Sequence, residues 1–512
     1  MRLSRGEGPW PWLAAGSVAL SLLLLAALLT LLAGRGLAHF WPAEVVQVEL
    51  DDGSRFAARP GREERSAEGV ERLYHTGNRE WLGTPWRWVE VARIVEQQRP
   101  AELVVIERRR WGDFIGRVAG LEEDGEALVL EDDAAQWAAL NARLARLEAL
   151  RAARDALRQD EVMPRVRELG AARDAASRAR LEGELATANA EILALQAQMA
   201  RDRVLLESVD GERLALPLED ILAIQRPNDM RLPAKLGAWG TGVWRFLSEG
   251  PRAANTAGGV WPAIFGTVLL VLLMSALVAP FGVLAAIYLN EIAHQGRLTR
   301  LVRISVRNLA GVPSIVYGVF GLGVFVYGIG GSLDEWFFSD QLPSPTFGTG
   351  GLLWASLTLA LLTLPVVIVA TEEGLARIPD HQREGALALG ATRLETLRRV
   401  VVPMALPAML TGMILAVARA AGEVAPLMLV GVAKLAPQVP LDAEFPFLHL
   451  ERKFMHLGYH IFDVGFHSGD VEAALPLVYA TALLLVLVIL LLNLTAILLR
   501  HHLKARHGAL PR

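Results

Sequence analysis

Six long apolar stretches constrain this sequence more than any other feature. They lie at about 12–33, 262–289, 308–330, 352–371, 403–432 and 474–499. A helix that crosses the hydrocarbon core needs about 20 residues with few charges, and each stretch meets that requirement. The 512-residue chain is also 21% charged, which is too much for membrane segments alone. We therefore predict an all-α polytopic membrane protein with six transmembrane helices and a separate extramembrane domain.

The first apolar stretch is open to two interpretations. Its length exceeds the apolar run of about 7 to 15 residues in a signal peptide, and no clear small-residue cleavage site precedes His39. We interpret residues 1–40 as a cytoplasmic N-terminus followed by a retained first helix. A cleaved signal peptide is the alternative.

Basic residues are concentrated on one side of the predicted spans, and such an excess marks the cytoplasmic side. They are Arg2 and Arg5; Arg297, Arg300, Arg303 and Arg307; Arg377, Arg383, Arg393, Arg398 and Arg399; and Arg500, Lys504 and Arg506. The opposite connection at 332–350 carries three acids and no Lys or Arg. We predict an inner-membrane protein with both termini cytoplasmic, including a tail at 506–512.

The insertion between the first two spans, residues 41–255, is predicted to be an extracytoplasmic α+β domain. Short extended runs at 45–56, 103–106, 114–118, 127–130, 204–206 and 213–216 predict a small β unit. Residues 134–202 are rich in Ala, Leu, Glu and Arg, with a stripe spaced by three and four residues, so we predict a coiled-coil hairpin. The stripe comprises Leu181, Leu185, Ala188, Ile192, Leu195 and Met199. The arm either docks a partner or stiffens the domain.

Several functional classes find no support in the sequence. The chain has no cysteine and no concentrated basic block, which argues against thiol chemistry and nucleic-acid binding. Its histidines and acids show no metal-ligand spacing, and His75 is isolated. No Gly-x-x-x-x-Gly-Lys-Ser/Thr motif occurs, so we expect no bound cofactor and any ATP hydrolysis to be done by another chain.

The predicted cytoplasmic loop at 375–402 contains a motif with fixed spacing. Glu384, Gly385 and Ala386 are followed by Gly390 and, after the second helix, by Pro403. This pattern resembles the signature of ABC-importer permeases, Glu-Ala-Ala, three residues, Gly, nine residues and Ile-x-Leu-Pro, with Gly385 in place of Ala. Small residues allow a short helix to approach another surface closely. An ordinary interfacial helix is the alternative.

The resemblance covers about residues 256–505 and has consequences for fold and partners. It implies the ABC importer permease fold and a coupling loop that docks on a separate ATP-binding subunit dimer. It also implies a second permease subunit and a periplasmic binding protein that delivers the substrate. The spans would also contact membrane lipid.

Within the fifth predicted span, Arg419, Gly422, Glu423 and Pro426 stand in a stretch that resembles phosphate permeases of the PstA type. Val424 replaces the usual threonine of that family. A charged residue inside a span costs about 2.5–3.5 kcal/mol on insertion scales, so this Arg and Glu predict a function. Arg419 could offer a forked donor to a phosphate oxyanion. The alternative is that Arg419 and Glu423, four residues apart, only pair with each other.

The third predicted span begins with a second stretch that resembles phosphate permeases, around Pro313 and Ser314. These residues could expose backbone to a substrate pathway, or a kink could serve packing alone. We therefore predict the permease subunit of an ATP-driven phosphate importer, with Arg419, Glu423, Pro426, Pro313 and Ser314 on the substrate pathway. Alternatives are an importer permease for another oxyanion or small solute, or a membrane-anchored sensor or scaffold.

Overall fold

The computed structural model describes residues 9–65, 69–129, 132–172, 174–252, 255, 257–436, 438–443 and 445–507. Arg2, Arg5 and the end of the predicted tail, 508–512, lie outside these ranges. The chain divides into a membrane unit, residues 1–40 and 240–512, and a second unit, residues 41–239. The domain boundary predicted at 255 falls later in the chain than the end of the second unit.

Helices and strands are numbered here in chain order. The helices are α1 (Pro9–Ala38), α2 (Arg79–Leu82), α3 (Asp133–Leu157), α4 (Met163–Ala171), α5 (Ala175–Ala200), α6 (Leu232–Ser248), α7 (Trp261–Ile287), α8 (Arg297–Leu309), α9 (Ser314–Phe320), α10 (Gly331–Phe337), α11 (Leu352–Ala376), α12 (Asp380–Ala388), α13 (Arg393–Thr396), α14 (Val402–Gly422), α15 (Ala425–Val430), α16 (Leu457–His467) and α17 (Val471–His507). The strands are β1 (Val46–Leu50), β2 (Arg55–Arg65), β3 (Val70–His75), β4 (Trp86–Glu90), β5 (Ile94–Gln98), β6 (Val104–Arg108), β7 (Asp113–Glu123), β8 (Glu126–Ala127), β9 (Asp202–Glu207), β10 (Arg213–Pro217), β11 (Ile221–Gln225), β12 (Pro251–Arg252) and β13 (Ala257–Gly258).

Six helical segments of the described residues are long and apolar enough to cross a membrane. They are Trp10–Ala38, Trp261–Ile292, Ser314–Phe337, Leu352–Ala376, Arg393–Gly422 and Val471–His502. Each overlaps one of the six predicted spans, so the prediction of six transmembrane helices is confirmed. Several contain short π-helical turns, as at Tyr288–Ile292 and Gly321–Gly330.

The centre of the membrane unit is α11, which packs against α7 and α14. Its buried side chains join those of the two neighbouring helices in one apolar cluster that includes Leu270, Leu359 and Ala416. Close approach depends on small residues. A Cβ on Gly282 would come within 2.6 Å of Val367, and one on Gly412 within 2.8 Å of Ala370. Helices α1 and α17 also approach each other closely at a glycine, since a Cβ on Gly36 would lie 2.9 Å from the Ala480 Cα atom.

The second unit contains more sheet than predicted. One sheet has the order β4-β3-β2-β1-β5, and another has the order β10-β9-β7-β6-β11, with β8 paired to β7. β1 and β2 form an antiparallel hairpin in which Val46 lies opposite Ala58. The sequence missed β3, β4, β5 and β11. The strand predicted at 127–130 overlaps β8 (Glu126–Ala127) only at Ala127; residues 128 and 129 are not in a strand, and residue 130 lies outside the described residues.

The helical arm of the second unit is a hairpin of α3 and α4 against α5. Asp132 caps α3 and Asp174 caps α5, each accepting a hydrogen bond from a backbone N–H three residues on. The chain does not turn at Met163-Pro164, because a π-helical turn at 158–162 carries it into α4, where Pro164 occupies the first turn. Leu140, Leu147 and Met199 pack into the core of the second sheet. The coiled coil itself stays a prediction.

Two buried histidines give the membrane unit a pH dependence. His456 and His460 are 0% and 2% exposed, and both lie outside the six spanning segments. Burial lowers the pKa of each imidazole from about 6.5 to about 4. The unfolded chain takes up these protons near pH 6.5 and the folded protein only near pH 4, so the free energy of unfolding falls as the pH drops through this window.

We predict that the thermal unfolding midpoint of the detergent-solubilised protein falls between pH 7 and pH 5, and that His460→Leu reduces this fall. Leu has no protonated form, and neither ring nitrogen of His460 has a hydrogen-bond partner in the described residues. Scanning fluorimetry at both pH values measures the effect. An equal fall in wild type and variant would contradict the prediction.

Candidate functional site

The fifth predicted span is not one continuous helix. α14 ends at Gly422, Glu423 has extended backbone with φ −78° and ψ 135°, and α15 begins at Ala425. The predicted span over 403–432 is therefore interrupted at 423–424. Pro426 does not bend a helix interior, because it lies in the first turn of α15, where a missing N–H costs nothing. The phosphate-permease stretch thus forms a helix break.

Arg419 and Glu423 form an ion pair across this break, with 3.4 Å between Nε and Oε1. Their side chains are 34% and 19% exposed. Within the described residues neither side chain makes a hydrogen bond to another residue. A Cβ on Gly422 would meet no atom within 4 Å, so open space adjoins the break. The guanidinium is held by charge alone and keeps its N–H donors available.

A second helix break lies directly before the third span. α8 ends at Leu309, and after a turn Pro313 precedes α9 with φ −56° and ψ 135°. The Tyr317 hydroxyl donates to the Leu309 carbonyl at 2.8 Å and so ties the two helices together across the turn. Pro313 is exposed and Ser314 is half-buried. The predicted start of this span at 308 is therefore too early, since α9 begins at Ser314.

The helices that follow the two breaks, α9 and α15, pack against each other. A Cβ on Gly318 would lie 2.7 Å from the Pro426 Cα atom, so the glycine is what allows this approach. No hydrogen bond or ion pair within the described residues joins Pro313 or Ser314 to Arg419 or Glu423.

Contacts along α11 place the break of the third span between the ends of that helix. On one side of the break, Arg303 of α8 contacts Glu372, near the end of α11. On the other side, Gly321 lies against Thr358, near its beginning. Fourteen residues of helix separate positions 358 and 372, or roughly 21 Å. The broken backbone at 310–313 thus lies beside the middle of α11.

The predicted coupling loop forms two short helices. α12 contains Glu384, Gly385 and Ala386, and the chain then turns at Gly390, whose φ of +87° lies in the left-handed region that favours glycine. Thr392 caps α13 by accepting from the Glu395 N–H, while the Glu395 carboxylate accepts from the Thr392 N–H at 2.9 Å. Pro403 lies in the first turn of α14. The motif therefore defines helix, turn and helix.

The outer face of α12 and its turn makes few contacts within the chain. Glu384, Gly385 and Gly390 are exposed, and a Cβ on either glycine would meet no atom within 4 Å. Leu389 is 91% exposed and Leu394 is 71% exposed. Large apolar side chains in such exposed positions, next to small ones, are typical of a docking surface.

Sequence reasoning missed the residue that anchors α12. The Arg383 guanidinium donates to the Glu291 carboxylate at 2.8 Å and to the carbonyls of Leu375 and Ile378 at 3.0 and 2.6 Å. Glu291 is therefore half of a partly buried ion pair between the end of the second span and α12. Arg383 precedes the motif directly, but its partner is 92 positions away.

A parallel ion pair lies next to it. Arg303 donates to Glu372 at 3.0 Å and to the Leu289 carbonyl at 2.8 Å. Because Leu289 and Glu291 belong to one π-helical turn, both arginines bind the same end of the second span. The two ion pairs thereby connect α12, α8 and α11 to the end of the second span.

Comparison with known proteins agrees with these features. Residues 279–507 match the family described as the binding-protein-dependent transport system inner membrane component. This matched part of the chain contains both helix breaks and the coupling loop, and it is similar to that family. The match and the six helices that could cross a membrane support a multi-pass membrane protein.

Two relatives define the likeness more closely. The chain is 36% identical over 192 residues to the phosphate transport system permease protein PstA 1 of Mycobacterium tuberculosis, which covers 37% of this chain and 57% of the relative. It is 36% identical over 199 residues to the probable ABC transporter permease protein YqgH of Bacillus subtilis, covering 38% and 60%. The resemblance to PstA-type permeases is confirmed. The chain spans less than two thirds of the length of these relatives.

One solved structure extends the comparison. The MetNI methionine ABC transporter in an inward-facing conformation matches 54% of this chain and 99% of its own, at 17% identity and a TM-score of 0.33.

We predict that Glu291→Gln loosens α12 without unfolding the membrane unit. The variant removes the negative charge that Arg383 binds. The hydrogen bonds from Arg383 to the Leu375 and Ile378 carbonyls remain. Hydrogen exchange of the α12 amides should rise several-fold, whereas exchange in α11 should not change. Glu335→Gln, an acid outside this network, is the control. Equal α12 exchange in Glu291→Gln and wild type would contradict the prediction.

Proposed function

We propose that the chain is the permease subunit of an ATP-driven phosphate importer and forms part of the pathway for inorganic phosphate. The observation that carries this proposal is the break at 419–426, where an arginine with available donors adjoins open space in a stretch shared with phosphate permeases. The relatives named phosphate transport permeases support the same substrate.

Arg419 is proposed to bind the phosphate oxyanion. A guanidinium presents a planar fork of N–H groups that matches two phosphate oxygens, and its charge stays fixed at any physiological pH. The Glu423 carboxylate would hold the guanidinium between substrate passages through their 3.4 Å ion pair. Phosphate would then compete with Glu423 for Arg419. The ion pair would therefore act both as a phosphate-binding site and as a gate.

The backbone at Pro426, Pro313 and Ser314 is proposed to line the pathway. These three residues carry no charge. Interrupted helices inside a membrane are tolerated where they line a cavity or are buried in protein, and such breaks often form transporter substrate sites. Pro313 and Pro426 begin the helices on the far side of the two breaks. The packing of Gly318 on Pro426 brings these helix starts together.

Energy coupling is proposed to pass through α12. Its exposed surface, with Glu384, Gly385 and Ala386, would dock into a groove of the ATP-binding subunit, which binds and hydrolyses the ATP. Movement of α12 would reach the spans through Arg383 and Glu291 and through the rigid continuation of α13 into α14. A second permease subunit and a periplasmic phosphate-binding protein would complete the importer.

The proposed location is the bacterial inner membrane with both termini in the cytoplasm. The arginine-rich ends of the helices support this orientation, because cytoplasmic loops carry the excess of basic residues. It would place α12 on the side where ATP is available and the unit of residues 41–239 on the outer side.

The substrate proposal is tested by phosphate uptake in cells that lack this gene and carry wild type, Arg419→Lys or Arg419→Ala. Loss of a charged hydrogen-bond donor costs about 1.5–3 kcal/mol, so Arg419→Ala should reduce uptake about tenfold or more. Arg419→Lys keeps the charge but not the fork and should fall between the two. Sulfate and molybdate serve as competitors.

Membrane levels of each variant provide the control for this experiment. Uptake in Arg419→Ala equal to that of wild type would show that Arg419 only pairs with Glu423. Preferential competition by sulfate or molybdate would instead favour an importer of another oxyanion. Unchanged phosphate uptake in the deletion strain, with no other phosphate system operating, would overturn the substrate.

The coupling proposal predicts that Gly385→Leu abolishes assembly with the ATP-binding subunit while the chain itself folds normally. Within the chain a Cβ at this position meets no atom within 4 Å, so only a docked partner would clash with the larger side chain. Gly183→Leu in α5, where a Cβ also meets nothing, is the matched control. Co-purification of the two subunits measures the effect, and equal recovery from both variants would contradict docking at α12.

A further inference from the structure

A cavity of about 460 Å³ lies at the end of the membrane unit that carries the coupling loop. It is formed where three spanning helices meet: the end of α11, the first half of α14 and the end of α17. The volume is within the range of about 300–1,000 Å³ that is usual for small-molecule sites. It is separate from the helix breaks, since none of the residues that line it belongs to them.

One part of the cavity is basic. Arg377, Arg500 and His501 line it, and no carboxylate does. Arg500 donates to the Thr411 hydroxyl at 3.1 Å, and that hydroxyl in turn donates to the Pro407 carbonyl at 2.8 Å. Neither arginine forms an ion pair with any described residue, in contrast to Arg303 and Arg383 nearby. Two permanent positive charges therefore share one cavity without an internal counter-ion.

The rest of the cavity is apolar. Met404, Pro407 and Ala408 of α14 and Ile378 after α11 contribute to its wall. The adjoining stretch of α17 is lipid-facing in character, because Leu494 and Leu498 are 53% and 60% exposed. The cavity thus combines positive charge at the end of a membrane span with a wall that continues into apolar surface.

We propose that this cavity binds the headgroup of an anionic phospholipid. The phosphodiester would lie between Arg377 and Arg500, and the acyl chains would follow the apolar surface of α14 and α17. Basic pockets between spanning helices near the membrane surface are suited to anionic headgroups. Free inorganic phosphate would bind the same guanidinium groups but would make no favourable contact with the apolar wall. A phospholipid would contact both the basic part and the apolar part of the cavity.

A lipid bound in this cavity would contact the part of the chain that leads into the coupling loop. Arg377 directly follows α11 and lies at the start of the loop that contains α12, so a headgroup between Arg377 and Arg500 would join that start to α17. We expect the bound lipid to stabilise the helices that carry the coupling loop.

The test compares the full-length wild-type chain with the double variant Arg377→Gln/Arg500→Gln. Native mass spectrometry counts retained phosphatidylglycerol, and scanning fluorimetry measures the unfolding midpoint during titration with phosphatidylglycerol, phosphatidylcholine or inorganic phosphate. Each basic group near an anionic lipid contributes roughly a fivefold factor in affinity, so the double variant should bind phosphatidylglycerol about 30-fold more weakly.

Arg300→Gln/Arg307→Gln is the matched control, because it removes the same charge from exposed arginines of α8 outside the cavity. This control should bind phosphatidylglycerol as the wild type does. An equal loss in the control would show non-specific attraction and overturn the proposal. Stabilisation by inorganic phosphate equal to that by the lipid would overturn it in favour of a free phosphate site, and no lipid retained by the wild type would overturn it outright.

Discussion

The close packing of two interrupted helices is the interaction on which the candidate transport site depends. Backbone N–H and C=O groups inside a membrane must be satisfied within the protein, so broken helices are stable there only when other elements cover them. Here the helices that follow the two breaks, α9 and α15, cover each other. Gly318 permits α9 to contact the Pro426 backbone, and Tyr317 reaches back to the Leu309 carbonyl. The Arg419–Glu423 ion pair lies beside this packed region, where open space adjoins Gly422.

Three arginines next to the helix breaks and the coupling loop have two different physical roles. Arg383 and Arg303 each bind a carboxylate and one or more backbone carbonyls at distances of 3.0 Å or less, which fixes them as connections between helices. Arg419 has one carboxylate at 3.4 Å and no hydrogen bond in the described residues. An arginine whose donors are already used cannot bind a passing anion without breaking the fold. Arg419 can bind one by exchanging a single partner.

The sequence predicted the features that depend on composition over about 20 residues and missed those that depend on distant partners. Six apolar spans and the helix-turn-helix around Gly390 follow from local rules. The exact position of the break at 423–424 does not follow from a hydropathy window, because apolar residues continue through it. β3 was missed because charged residues such as Glu71 and Arg72 interrupt its apolar alternation. Arg383 pairing with Glu291 has no local signal at all.

The break also gives a structural meaning to Val424, which stands where phosphate permeases usually have threonine. The position precedes α15, and valine provides no side-chain hydrogen bond to the first N–H groups of that helix. Threonine is a good N-cap, typically worth about 1 kcal/mol over an apolar residue. The Val424 side chain instead packs close to Gly458, since its Cγ2 atom would lie 2.7 Å from a Cβ built on that glycine. A threonine hydroxyl at this position would therefore stand where the first N–H groups of α15 need an acceptor, which gives it a structural reason that is independent of any substrate.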